Sequence, residues 1–178
     1  KILDWNDRGT CVLFGDGAGA AYLEESDKGI ISVVQGSIGK KGMVLNCESR
    51  RTHNIFTEDG IEHDYLHMDG QEVYKFAVRQ CPKCLLEALE KADMTADDID
   101  YFVLHQANVR IIESVAKRLK APIEKFPMTL GYTGNMSAAS VPVMLDSLVR
   151  DGGLKRGDKV AMSAFGAGLT YGAIVLEW

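Results

Sequence analysis

The chain has 178 residues, 46% of them hydrophobic and 25% charged, with a formal net charge of −5. This composition suits one globular core, holds no apolar run near the roughly 18 residues of a membrane span, and disfavours broad electrostatic binding to nucleic acid. Four irregularly spaced cysteines build no disulfide framework, so a reducing cytoplasm is expected.

No basic start followed by an apolar segment suggests a signal peptide. The opening KILDWNDRGT reads as the interior of a longer protein. TCVLF (10–14) predicts a strand, GDGAGA (15–20) a tight turn and AYLEES (21–26) a second strand. GIISVV (29–34) predicts another strand. Residues 36–68 are glycine-rich, charged and aperiodic. From Asp69, a capping candidate, Val73, Ala77, Cys81, Cys84, Leu85 and Ala88 recur at the spacing of one buried helix face. Pro82 is expected to kink that helix. Thr95 and Asp98 stand at capping-box spacing. YFVLH (101–105) predicts a buried strand. Val109, Ile112, Ala116 and Leu119 predict the next helix face. EKFPMTL (124–130) is expected to be extended. SAASVPVMLDSLVRDGG (137–153) predicts a helix with Pro142 in its first turn. KVAMSAF and YGAIVLEW predict two final strands. Strands alternating with helices, then a closing strand pair, indicate a layered α/β domain with a mixed sheet.

Several motifs invite chemistry. Gly15, Gly17 and Ala20 match a dinucleotide fingerprint, but a helix should follow it, and AYLEES reads as a strand; a hairpin turn is the preferred reading. Cys81 and Cys84 have redox or zinc spacing, yet fall about three turns into a helix rather than at its N-terminus, and read as packing residues. His53, His63 and His67 read as loop histidines rather than metal ligands. His105 differs, because it ends an apolar strand and precedes a helix, where α/β folds present functional groups. Asn135 lies in a loop flanked by Gly131 and Gly134, where asparagines usually serve turns.

HQANVRII (105–112), GNMSAASVP (134–142), DRGTCVLFGDGAGA (7–20) and AFGAGLTYGAIVLEW (164–178), in this family's order, closely resemble the C-terminal half of β-ketoacyl-acyl-carrier-protein synthase III. The resemblance runs over essentially the whole chain. It implies the thiolase fold, two similar halves stacked as an α/β/α/β/α sandwich. Residues 1–28 would then be the closing strand pair of the first half. Residues 29–178 would form the second half, a mixed five-stranded sheet with helices on both faces.

The family triad is Cys-His-Asn. His105 matches its histidine and Asn135 its asparagine; the nucleophilic cysteine belongs to the first half and has no counterpart here. The implied reaction is a decarboxylative Claisen condensation of an acyl-CoA primer with malonyl-acyl carrier protein, which starts fatty acid chains. A neutral imidazole N–H and a carboxamide NH₂ are suited to the thioester oxygen on which negative charge develops. The resemblance also assigns Arg8, Gly9, Gly70, Tyr74, Ala107, Asn108 and Arg110 to the coenzyme A tunnel, and Ala167 to an oxyanion loop. Met136 and Tyr171 depart from the Thr and Trp common at these positions.

Lys75, Arg79 and Lys83 share one helix face, and Arg110, Lys117 and Arg118 lie on another. The resemblance makes Lys75, Arg110, Lys117 and Arg118 a docking patch for acidic carrier protein. It implies a homodimer at full length, coenzyme A thioester as substrate, and no metal or further cofactor. Two alternatives remain: a thiolase-fold relative with a different acyl-CoA or acceptor, and a catalytically silent module that binds carrier protein.

Overall fold

The alternation of apolar side chains predicted for the strands is used on both faces of one sheet. In the computed structural model, which describes residues 2–47 and 65–178, the chain order is β1 (Ile30–Ser37), β2 (Leu45–Asn46), β3 (His67–Met68), α1 (Gly70–Lys91), β4 (Tyr101–Leu104), α2 (Val109–Leu119), α3 (Leu130–Thr133), α4 (Ser140–Arg150), β5 (Lys159–Gly166) and β6 (Thr170–Glu177). Strands β1, β6, β5 and β4 form a mixed sheet in that spatial order. β6 runs antiparallel to both neighbours, and β5 runs parallel to β4. β2 and β3 pair separately.

Phe102 and Leu104 of β4 project to one face, with Ala161, Ala173 and Val175 of the neighbouring strands, and meet α1 and α2. Val103 and Val160 project to the other face and meet Met144 of α4 and Leu154. Period two therefore serves two cores, with helices on both sides. On the α1 side, Phe102 stacks on Phe126 with ring centroids 4.7 Å apart.

Helix α1 begins where Asp69 Oδ1 accepts the N–H groups of Gln71 and Glu72, each at 3.0 Å. All six residues of its expected apolar face are buried. Leu85 alone, fully buried, contributes roughly 1.5–3 kcal/mol of transfer free energy. The helix continues through Pro82. A proline has no N–H for the carbonyl four residues back. That carbonyl, Val78 O, accepts a guanidinium N–H of Arg118 from α2 at 3.4 Å. Thr95 and Asp98 form the expected capping box, with Thr95 N donating to Asp98 Oδ2 at 2.7 Å.

Helix α2 is rotated slightly from its expected face. Ile111, Ile112, Val115, Ala116 and Leu119 are buried, while Val109 is 39% exposed. As the first helical residue, Val109 lies before the turn that meets α1. The segment 36–68 is not wholly irregular, because β1 runs on to Ser37 and a 3-10 helix follows at Gly39–Val44.

Two strand expectations are corrected. Among the described residues the principal sheet has four strands, not five. Residues 124–130 add no strand beside β4: a 3-10 turn occupies Ile123–Lys125, Pro127 has no N–H to donate, and the Gln106 carboxamide engages Pro127 O and Thr129 N. Residues 10–26 form no strand pair either. An isolated two-stranded ribbon is marginal without a third strand or a packed face. In this chain Tyr22 and Leu23 are 86% and 79% exposed. The glycine run is likewise not a hairpin turn; it is a strap laid along the loop that carries Asn135.

Candidate functional site

His105 is held by sheet geometry. Its backbone N–H donates to Ser163 O at 2.9 Å, one step beyond the last β4–β5 pair. The imidazole stands edge-on to Phe165 with centroids 5.2 Å apart. Burial pushes its pKa down to about 4, so the ring is neutral at pH 7 and carries one N–H to donate. The next residues turn the chain, and Asn108 Oδ1 accepts the Arg110 N–H at 2.9 Å to start α2.

Asn135 is held by the strap. Its N–H donates to Leu13 O at 2.9 Å, and its carbonyl accepts the Gly15 N–H at 3.0 Å. A Cβ on Gly15 would sit 2.1 Å from the Thr133 carbonyl oxygen, so no larger residue fits that approach. The Asn135 side-chain oxygen accepts the Ser137 N–H at 2.9 Å. Its acceptor is thereby engaged, and the NH₂ is the polar end left for a ligand.

Both side chains line one cavity of about 660 Å³, a size typical of small-molecule sites. Gly70, Tyr74, Ala107, Asn108 and Ala167 line it too. The loop bearing Ala167 joins β5 to β6, where Thr170 Oγ1 donates to Ala167 O at 3.0 Å. Arg8, Gly9 and Arg110 are not among the lining residues. Arg8 and Gly9 lie on an exposed turn in which Asp7 Oδ1 accepts the Gly9 N–H at 2.8 Å. Asp7 also accepts the Thr10 hydroxyl, which with the Gly9 bond holds its carboxyl below the usual range.

Profiles of known families match the chain at both ends. One describes the C-terminal region of 3-oxoacyl-[acyl-carrier-protein] synthase III and matches residues 89–178; another describes 3-oxoacyl-[acyl-carrier-protein] synthase III and matches residues 1–42. The chain belongs to the 3-oxoacyl-[acyl-carrier-protein] synthase III family. It is 47% identical to the β-ketoacyl-[acyl-carrier-protein] synthase III of Synechococcus sp. (strain WH7803), over 100% of this chain and 54% of that protein. It is also 47% identical to the enzyme of that name from Clostridium novyi (strain NT), over 100% of this chain and 56% of that protein. The crystal structure of 3-oxoacyl-[acyl-carrier-protein] synthase III from Aquifex aeolicus VF5 superposes with a TM-score of 0.88 at 37% identity, covering 99% of this chain and 54% of that one. The chain thus spans about half the length of the curated relatives it matches.

The two departures from the synthase III pattern have different consequences. Met136 is buried away from the cavity, where a Cβ on Gly17 would lie 2.4 Å from its sulfur. Tyr171 lines the cavity and packs edge-on against Phe76 at 6.1 Å. Only Tyr171 shapes the pocket.

None of the cysteines repeats the helix-end geometry of an activated thiol. Cys11 lies in a run of turns, and Cys47 is exposed at the cavity wall. Burial raises Cys81 to about 12 and Cys84 to about 11, as suits packing residues. His53 and His63 lie outside the described residues; His67 sits in β3.

The basic residues divide. Lys75 Nζ pairs with Glu72 at 2.9 Å, and Glu72, which also holds Lys41, is lowered to about 2 by these two lysines. Arg79, Lys83 and Arg118 line one groove between α1 and α2. Arg110 and Lys117 are exposed on α2.

Sequence reasoning missed Ser137 and Phe165, and read Gly15 as part of a hairpin turn rather than as a support for Asn135. The signal for Ser137 was present: Asn-x-Ser is the pattern of an Asx turn, in which the side-chain oxygen takes the N–H two residues on. Phe165 follows from counting two residues past Ser163 on β5. The role of Gly15 has no local signal, because Thr133 is its neighbour only in space.

Proposed function

We propose that the chain is the C-terminal portion of a 3-oxoacyl-[acyl-carrier-protein] synthase III. It carries the decarboxylation site for condensing an acyl-CoA primer with malonyl-acyl carrier protein, the step that starts fatty acid chains in the cytoplasm. The observation that carries this reading is the pair of neutral donors on one cavity: an imidazole held uncharged by burial and a carboxamide whose oxygen is already engaged.

In the full-length enzyme, a cysteine of the preceding half receives the primer acyl group from coenzyme A. The malonyl thioester then binds with its carbonyl oxygen toward His105 and Asn135. Its bond to carboxylate breaks, carbon dioxide leaves, and the electron pair moves onto the α-carbon and thioester oxygen. Two preorganised donors stabilise that oxygen without reorganising. The α-carbon attacks the acyl-cysteine carbonyl, and the thiolate departs. The backbone N–H near Ala167 serves the tetrahedral oxyanion at that second carbonyl. Coenzyme A and carrier-protein pantetheine chains enter past Gly70, Tyr74, Ala107 and Asn108. Lys75, Arg110, Lys117 and Arg118 meet the acidic carrier protein outside. The two halves form the five-layered sandwich, and the whole enzyme is a homodimer.

The test is carbon dioxide release from malonyl-carrier protein by the full-length enzyme. His105→Ala and Asn135→Ala should each lower it by about 10²–10³, while acyl transfer to the cysteine persists. Wild-type decarboxylation in both variants would overturn the reading. The 178-residue chain alone should form no β-ketoacyl product.

A further inference from the structure

Gln106 is completely buried, although it follows His105 at the mouth of a cavity. A buried carboxamide is costly unless its donors and acceptor are used. Here they are. Gln106 Nε2 donates to Leu104 O at 2.9 Å and to Pro127 O at 3.4 Å, and Oε1 accepts the Thr129 N–H at 3.1 Å. Leu104 is the last residue of β4, immediately before His105. Thr129 starts the turn that leads to Asn135: its carbonyl accepts the N–H of Tyr132 at 3.0 Å and of Thr133 at 3.1 Å. Gly134 then closes α3 by donating to Leu130 O at 3.1 Å. One side chain thus ties the backbone on the His105 side to the backbone on the Asn135 side.

We propose that Gln106 is a positioning residue that sets the spacing of the two donors, and that it acts through them rather than on substrate. The inference rests on the functional reading above for its kinetic consequence, not for its geometry. Among the described residues no other hydrogen bond joins β4 to residues 127–129, so Gln106 replaces the strand pairing that this segment lacks. An oxygen held by two donors needs both within about 2.7–3.1 Å. Loss of the tie therefore weakens decarboxylation more than steps that do not use the pair.

The test uses the full-length enzyme. Gln106→Met keeps the length of the side chain and removes the donor and the acceptor. The kcat for malonyl decarboxylation should fall about tenfold or more with KM nearly unchanged, the pattern of an interaction made in the transition state. Acyl transfer from acyl-CoA to the cysteine should stay near wild type. Equal decarboxylation kcat in wild type and Gln106→Met would overturn the proposal. If Gln106→Met folds poorly, Gln106→Glu decides. Its buried carboxyl is raised in pKa, and while protonated it can both donate and accept. The ratio of decarboxylation to acyl transfer should then fall as pH rises, and a flat ratio overturns the proposal. Independently of activity, the His105 ring and Asn135 carboxamide resonances should both move in Gln106→Met; if neither moves, the tie does not position them. A wild-type enzyme that fails to decarboxylate would defeat the functional reading, while these resonances still judge the tie.

Discussion

The Asn135 carboxamide oxygen accepts the Ser137 N–H at 2.9 Å, which leaves the NH₂ of this cavity-lining residue as its donor. Asn135→Asp would keep the bond to Ser137 and present a second oxygen where the NH₂ had been. A carboxylate there repels an enolate. Decarboxylation in the full-length Asn135→Asp enzyme should fall by at least the roughly 10²–10³ expected for loss of one donor. Carbon dioxide release measures this, and a rate within tenfold of wild type would contradict the assignment.

The lowered pKa of His105 makes a pH prediction with a definite sign. Burial holds the folded-state value at about 4, below the ordinary 6.5. Protons then bind the unfolded chain more readily than the folded one in that window. The contribution to stability is complete above about pH 6.5 and is lost as pH falls toward 4. Urea midpoints across pH 4–7 should show this decline, and His105→Gln should flatten it. A ring titration by NMR with a midpoint near 6.5 would contradict the burial argument.

Cys81 and Cys84 should resist alkylation at pH 8 in the native protein. Their thiols are raised to about 12 and 11, so the reactive thiolate is scarce. Among the four cysteines of this chain, Cys47, which is exposed, should be modified first. Mass spectrometry of partially labelled protein reads the order directly.

Gly15→Ala should lift the strap from Asn135. The new Cβ would lie 2.1 Å from the Thr133 carbonyl oxygen, which is backbone and cannot swing aside. Overpacking of this kind costs about 1–3 kcal/mol. The melting temperature of the full-length protein should fall, and decarboxylation should fall with it. Gly39→Ala provides a contrast for packing, since nothing lies within 4 Å of its Cβ position and its backbone is not in the left-handed region.

The 178-residue chain by itself should self-associate. Tyr22 and Leu23 on the strap side, and Ile31 and Val33 on β1, are exposed apolar side chains. Exposed apolar surface beyond a few hundred Å² drives association. Sedimentation velocity should show oligomers, and a single monomer boundary at high concentration would contradict this.

What the sequence discloses depends on the range of the interaction. The face of α1 is legible because Val73 through Ala88 repeat at helical spacing. His105 is legible because a strand end and a helix cap flank it. Residues 10–26 mislead because β propensity describes a segment able to pair, not one that has a partner. The extended reading of residues 124–130 fails for a related reason: Gln106, twenty-three positions before Thr129, takes the backbone groups a strand would use. The convergence of site residues is legible through family motifs rather than spacing. Even so, Arg8, Gly9 and Arg110 lie off the cavity wall.

The bonds that join Asn135 to Leu13 and Gly15 bear on where this protein can be divided. By chain order the strap belongs with whatever precedes residue 29, yet its hydrogen bonds belong to the Asn135 loop. A two-piece protein cut near residue 28 would send the strap away with the wrong polypeptide, and reassembly would have to recover Asn135's backbone clamp across a broken chain. A cut upstream of residue 7 would keep strap and loop on one piece. Split versions of the protein should therefore complement best when the junction precedes the glycine run.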